Sequence, residues 1–166
     1  MEIKLVILDV DGVLTDGRIG YDSKLDDIKF FNAKDGFFIK HICSHLGIEF
    51  AIISGGISKI VKHRAMLLGI NYVYTGFVEK EEAYLKLKKD LGYDDNEIAY
   101  MGDDWFDWPA MKHAGFKAAP SDAAIEIIEK ADFVSTNTGG RGAVREFLEI
   151  ILKRDNKYEK AKQFYF

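Results

Sequence analysis

Cysteine is nearly missing from this chain: Cys43 is the only one in 166 residues. No disulfide can therefore form within one molecule. Together with the lack of a signal-peptide pattern, this makes the cytoplasm the expected compartment. An excess of positive charge is missing too. The formal net charge is −4, which gives no electrostatic footprint for nucleic acid. No apolar run is long enough to cross a membrane. The run at the start, within residues 1–9, is far too short and reads as a buried strand. Internal repeats, low-complexity tracts and linkers are absent, so the length fits one domain with a substantial core. Hydrophobic residues at 48% and charged residues at 30% complete an ordinary globular balance.

What is present is alternation. Ile3 to Leu8 is short, apolar and β-branched, as a strand buried on both faces should be. Arg18–Tyr21 and Ile28–Phe31 flank a polar turn and predict a hairpin. Further strands are expected at Glu49–Ile53, Asn71–Tyr74, Ile98–Met101, Phe116–Ala118 and Phe133–Ser135. Helices are expected at Asp35–Leu46, Ser58–Leu68 and Glu79–Leu91, each followed by a glycine suited to a helix C-terminus. More are expected at Trp108–Ala114, Asp122–Lys130 and Arg141–Leu152. The pattern predicts an α/β fold: a doubly wound, mostly parallel sheet covered on both faces. The expected division is a core over residues 1–153, with a hairpin flap at about 16–32, and a C-terminal tail over 154–166.

In such sheets chemistry collects beyond the carboxyl ends of the strands. Polar residues stand at those ends here. Asp9-Val10-Asp11-Gly12 follows the first strand, Ser54-Gly55-Gly56 the second, and Gly102-Asp103-Asp104 the fourth, with Asp107 close behind. Lys80 opens the helix after the third strand. Two like charges about 4 Å apart repel by roughly 4 kcal/mol at an effective dielectric of 20. Carboxylates gathered this way demand a cation, and an all-oxygen ligand set favours Mg²⁺. No His or Cys lies in these segments, which argues against zinc. A divalent ion and a lysine together neutralise a phosphoryl group in transfer. Ser54 can donate to a phosphate oxygen, and the backbone N–H groups of Gly55 and Gly56 can cradle an anion. Asp9 is then placed to attack phosphorus, and Asp11 to serve as general acid and base.

These four segments resemble the motifs of the haloacid dehalogenase-like superfamily. The resemblance implies that Asp9 is the nucleophile and Asp11 the acid/base. It implies that Asp9, the backbone carbonyl of Asp11, and Asp103 hold Mg²⁺, and that Ser54 and Lys80 bind the phosphoryl group. Asp104 and Asp107 would support the metal-bound water and the lysine. Asp16-Gly17-Arg18, Phe31-Asn32-Ala33-Lys34-Asp35-Gly36 and residues 139–146 further resemble the 3-deoxy-D-manno-octulosonate (KDO) 8-phosphate phosphatase subfamily, over about residues 3–153. The close relatives of that subfamily act on nonulosonate 9-phosphates, such as KDN or N-acetylneuraminate phosphates. After Ser54-Gly55 the KDO enzymes usually carry Arg and the nonulosonate enzymes Glu; this chain has Gly56. Residues 139–142 favour KDO.

Residues 10–53 are all that lie between Asp9 and Ser54, and the hairpin and one helix use them. No cap domain fits. An open site grips a small sugar poorly, so a neighbouring subunit or a large substrate must cover it. The resemblance implies a homotetramer built through the hairpins, with a small-molecule sugar phosphate as substrate and no nucleic-acid or membrane partner. Arg64 and Arg141 are candidates for a substrate carboxylate. Two readings lie outside this class. A phosphorylatable receiver would carry its Asp after the third strand and its Lys near the end, the reverse of the order here. A non-catalytic companion of a nucleotidyltransferase would not need the full catalytic set. His41 and His45 are spaced like zinc ligands but have no third ligand at a recognised distance.

Overall fold

The computed structural model describes residues 2–77 and 79–166. Its centre is β1 (Leu5–Leu8), in which every residue is buried. Successive side chains of a strand point to opposite faces. Val6 and Leu8 accordingly enter one core and Leu5 and Ile7 the other. Two covered faces explain why β1 reads as an unbroken apolar run rather than an alternating one.

The main sheet also contains β4 (Glu49–Ser54), β5 (Tyr72–Thr75), β6 (Ile98–Met101), β7 (Phe116–Ala119) and β8 (Phe133–Val134). The order is β5-β4-β1-β6-β7-β8, and every pairing is parallel. β1 thus lies between β4 and β6, where the strand order reverses. The carboxyl ends of these three strands meet at the crevice where doubly wound sheets bind ligands.

One face is covered by α1 (Ala33–Phe37), which continues through a wide turn (Phe38–Cys43) and a tight one (Ser44–Leu46), by α2 (Lys59–Leu68), and by α6 (Ala143–Arg154). The other carries α3 (Lys80–Leu91), α4 (Trp108–Met111) and α5 (Ile125–Ile128). Asn32 caps α1, accepting from the Lys34 and Asp35 N–H groups at 2.8 and 3.3 Å. α6 is anchored by Val144, Phe147, Leu148, Ile151 and Leu152, none of them exposed. Each such side chain contributes about 1.5–3 kcal/mol of burial.

Several elements differ in extent from the sequence expectation. The hairpin is reduced to β2 (Gly20–Tyr21) and β3 (Asp27–Ile28), paired Gly20 to Ile28 and Tyr21 to Asp27. The helix expected from Asp122 starts at Ile125, because the Asp122 carboxylate is used instead to accept the Gly139 N–H at 2.9 Å. The helix expected from Arg141 starts at Ala143, since Gly142 has φ 105°, a left-handed conformation that a right-handed helix excludes. Residues 154–166 hold a further helix, α7 (Tyr158–Lys162). Its Ala161 is buried in the core, and Tyr165 stacks edge-on against Phe37 at 5.2 Å.

Candidate active site

β1 ends because the chain must turn. Asp9 is still extended (φ −73°, ψ 172°), and the turn over Val10–Leu14 passes through Gly12 at φ 93°. Glycine is required there twice over. A side chain would be strained at that φ, and a Cβ would stand 2.0 Å from Asp103 Oδ2. The turn is braced from behind. The Gly140 N–H donates to the Val13 carbonyl at 2.9 Å. Gly139 packs so closely that a Cβ would lie 1.8 Å from the Gly12 carbonyl oxygen.

Asp9 and Lys80 meet at the crevice, both buried. Lys80 Nζ donates to Asp9 Oδ1 at 2.6 Å and to Asp107 Oδ1 at 2.7 Å, and it lies 4.4 Å above the Phe106 ring. Burial opposes the lysine's charge, but the two carboxylates outweigh it and hold the ammonium above the ordinary lysine range. Asp9 is pushed up to about 7, chiefly by burial and then by the Asp107 charge, against the pull of Lys80. Asp103 is pushed up to about 8 by burial and by the charges of Asp9 and Asp107. One ammonium does not balance these acids.

Oxygens of Asp9, Asp103 and Asp107 come within 4.8 Å of one another. The three are not equivalent. Asp107 Oδ1 accepts from Lys80 and from the Tyr100 hydroxyl at 3.0 Å, and Oδ2 accepts from the N–H groups of Asp103 and Asp104 at 3.0 and 3.3 Å. It is saturated. Asp9 Oδ2 and Asp103 Oδ1, by contrast, are buried without a partner, at a cost that a bound cation would remove. Two orphaned carboxylate oxygens with no nitrogen or sulfur donor fit Mg²⁺.

Asp11 is not part of this cluster. Its Oδ1 is 2.5 Å from Lys29 Nζ and 3.4 Å from Thr15 Oγ1. Ser54, at the buried end of β4, lines a cavity of about 400 Å³ with Asp11, Gly56, Ile57, Lys29 and the hairpin. Gly55 sits in the loop between them, with open space on its Cβ side apart from the Phe77 carbonyl at 3.8 Å.

The remaining expected residues do not line that cavity. Asp104 caps the next turn, accepting the Trp105 N–H at 2.7 Å. Arg64 is wedged between α1 and α2. Its guanidinium lies 5.6 Å from the Phe31 ring, and a Cβ on Gly36 would be 2.2 Å from its Nη2. Arg141 is largely exposed and approaches Asp16 at 3.9 Å. Neither arginine lines the cavity. Two residues at the site were not singled out from sequence: Lys29, and Tyr100, whose phenol is fully buried against Asp107.

The model of the haloacid dehalogenase-like hydrolase family matches residues 58–148. The 3-deoxy-D-manno-octulosonate 8-phosphate phosphatase KdsC of Escherichia coli K12 is 41% identical over 160 residues, covering 96% of this chain and 85% of that protein. A hydrolase of haloacid dehalogenase subfamily III A from Legionella pneumophila superposes with a TM-score of 0.93 at 44% identity, covering 98% of this chain and 89% of that one. The KDO 8-phosphate phosphatase of Moraxella catarrhalis, solved with magnesium, phosphate and KDO, has a TM-score of 0.95 at 38% identity, covering 99% and 94%. This chain belongs to the KDO 8-phosphate phosphatase family of haloacid dehalogenase-like hydrolases. Among the described residues no helix is long and apolar enough to cross a membrane.

Proposed function

We propose that this protein hydrolyses KDO 8-phosphate to KDO and phosphate through a phosphorylated Asp9. The observation that carries the reading is the state of Asp9: one oxygen is fixed by Lys80 and the other is free at the end of β1. One carboxylate oxygen of Asp9 attacks phosphorus. As that bond forms, the bond from phosphorus to the sugar oxygen breaks, and the leaving oxygen takes the proton of Asp11. Water then attacks the aspartyl phosphate and gives a proton back to Asp11. The Asp9–phosphorus bond breaks, and phosphate leaves. Lys80 and the Ser54 hydroxyl hold the phosphoryl oxygens throughout. Asp9, Asp103 and the backbone carbonyl of Asp11 would hold Mg²⁺, which when bound neutralises charge on the transferring group. The presence of magnesium, phosphate and KDO in the Moraxella relative supports this reading.

The hairpin carries Ile19, Tyr21 and Leu25 in largely exposed positions, 77%, 63% and 80%. Two short strands are marginal alone, so the apolar surface favours pairing with other copies. We propose a homotetramer assembled through the hairpins and acting in the cytoplasm. The function is tested by kcat/KM on KDO 8-phosphate, KDN 9-phosphate, N-acetylneuraminate 9-phosphate and hexose phosphates, with and without Mg²⁺. KDO 8-phosphate should lead by at least about tenfold, the effect of roughly 1.4 kcal/mol in the transition state. A preference for a 9-phosphate would move the protein to the nonulosonate branch. A preference for a hexose phosphate would overturn the substrate class.

A further inference from the structure

The hairpin is tied to the body of the protein at two points. At the first, the Ser58 hydroxyl at the start of α2 donates to Asp27 Oδ2 at 2.6 Å. At the second, two residues further on, Lys29 Nζ meets Asp11 Oδ1 at 2.5 Å. The Lys29 side chain is only 11% exposed, although its neighbour Phe30 is 70% exposed. A lysine loses about 2 kcal/mol of rotamer entropy when fixed, and exposed ion pairs rarely offset that. The lysine end of this pair is shielded from water, while Asp11, 38% exposed, faces the cavity. Asp22 and Asp26 are exposed on the same hairpin, yet Lys29 is paired with the carboxylate that faces the cavity. Both contacts of Asp11, from Lys29 and Thr15, fall on Oδ1. Oδ2 is thereby left for a leaving group.

We infer that Lys29 is a positioning residue for Asp11. It fixes the carboxyl so that one oxygen faces the departing sugar oxygen, and it makes that orientation depend on the hairpin being seated. The inference rests on Asp11 being the proton donor of the proposed reaction. In the step concerned, the phosphorus–oxygen bond to the sugar breaks, the sugar oxygen keeps the bonding pair, and it takes the Asp11 proton. Both proton transfers of Asp11, to the sugar oxygen and later from the attacking water, depend on Lys29; attack by Asp9 does not.

The test compares Lys29→Met, Lys29→Arg and Lys24→Met with wild type, on KDO 8-phosphate and on para-nitrophenyl phosphate, at saturating Mg²⁺. The phenolate of the second substrate leaves with little help from an acid. A general acid supplies about 10²–10⁴-fold. Lys29→Met should lose about ten- to hundredfold in kcat/KM on KDO 8-phosphate and about threefold or less on para-nitrophenyl phosphate, because kcat/KM reports the steps up to release of the leaving group and not the later attack of water. Lys29→Arg should recover much of the loss, and Lys24→Met, at the hairpin tip, should match wild type. An equal loss in kcat/KM on both substrates would overturn the inference, because it would mean general damage to the hairpin. A raised KM for the sugar acid with kcat intact would overturn it as well, because Lys29 would then bind substrate. A wild-type enzyme that rejects KDO 8-phosphate but cleaves another alkyl phosphate overturns the substrate reading alone, and the comparison then runs on that alkyl phosphate.

Discussion

Replacing Tyr100 with Phe removes one oxygen and leaves the ring, so it isolates a single hydrogen bond at the centre of the site. Tyr100 lies on β6 with no exposed surface, and its hydroxyl donates to Asp107 Oδ1 at 3.0 Å. Burial first, and then the charges of Asp107 and Asp9, hold the phenol well above its usual range. It therefore stays protonated, and stays a donor, across any working pH. A hydrogen bond to a charged group contributes about 1.5–3 kcal/mol. No cavity larger than a hydroxyl forms, and Asp107 keeps its bonds from Lys80 and from two backbone N–H groups. The loss should lie inside that range. For a chain of this size each kcal/mol moves Tm by about 2–4 °C, so the variant should melt about 3–12 °C below wild type. The shift should be the same at pH 6 and pH 9, read by differential scanning calorimetry. A Tm within about 1 °C of wild type would refute the role given to this bond, as would a shift that vanishes at high pH.

Other consequences follow from particular contacts. Gly139→Ala drives a methyl into the Gly12 carbonyl; it should cost about 1–3 kcal/mol in urea unfolding and lower kcat, because the strained turn carries Asp9 and Asp11. A Gly139→Ala protein with wild-type stability and turnover would show that the brace is slack. Cys43 is fully buried, and burial pushes its thiol up to about 12. It should not react with a water-soluble disulfide reagent at pH 8 until the protein is unfolded in denaturant. Rapid labelling of the native protein would contradict the packing of the wide turn Phe38–Cys43 against the sheet.

The sequence pattern carried the main sheet well, because its strands are buried on both faces and end abruptly in polar residues. Ile98–Met101 falls where the apolar run predicts it. Asp9, Ser54, Lys80 and Asp103 could be picked out because parallel strands deliver their carboxyl ends to one edge. What failed to show was any role that depends on a chain returning from elsewhere. Tyr100 looks like core packing until the turn at Trp105–Asp107 brings the Asp107 carboxylate back over it. Lys29 looks like a strand residue of a hairpin, since nothing in the spacing ties residue 29 to residue 11. Arg64 has the charge expected of an anion-binding residue, but it lies against Gly36 and Phe31. The late start of α6 depends on the left-handed Gly142, and α7 is held through only Ala161 and Tyr158 against the core. A polar segment gives little periodic signal of that kind.

The central claim is that Asp9 itself becomes phosphorylated. It is tested most directly by acid-quenching the enzyme during turnover of KDO 8-phosphate labelled in its phosphoryl group, then mapping the labelled peptide. The account predicts an acid-stable, hydroxylamine-labile label on the peptide containing Asp9, and none in an Asp9→Asn variant that folds normally. A label on Ser54, or rapid turnover by Asp9→Asn, would contradict it.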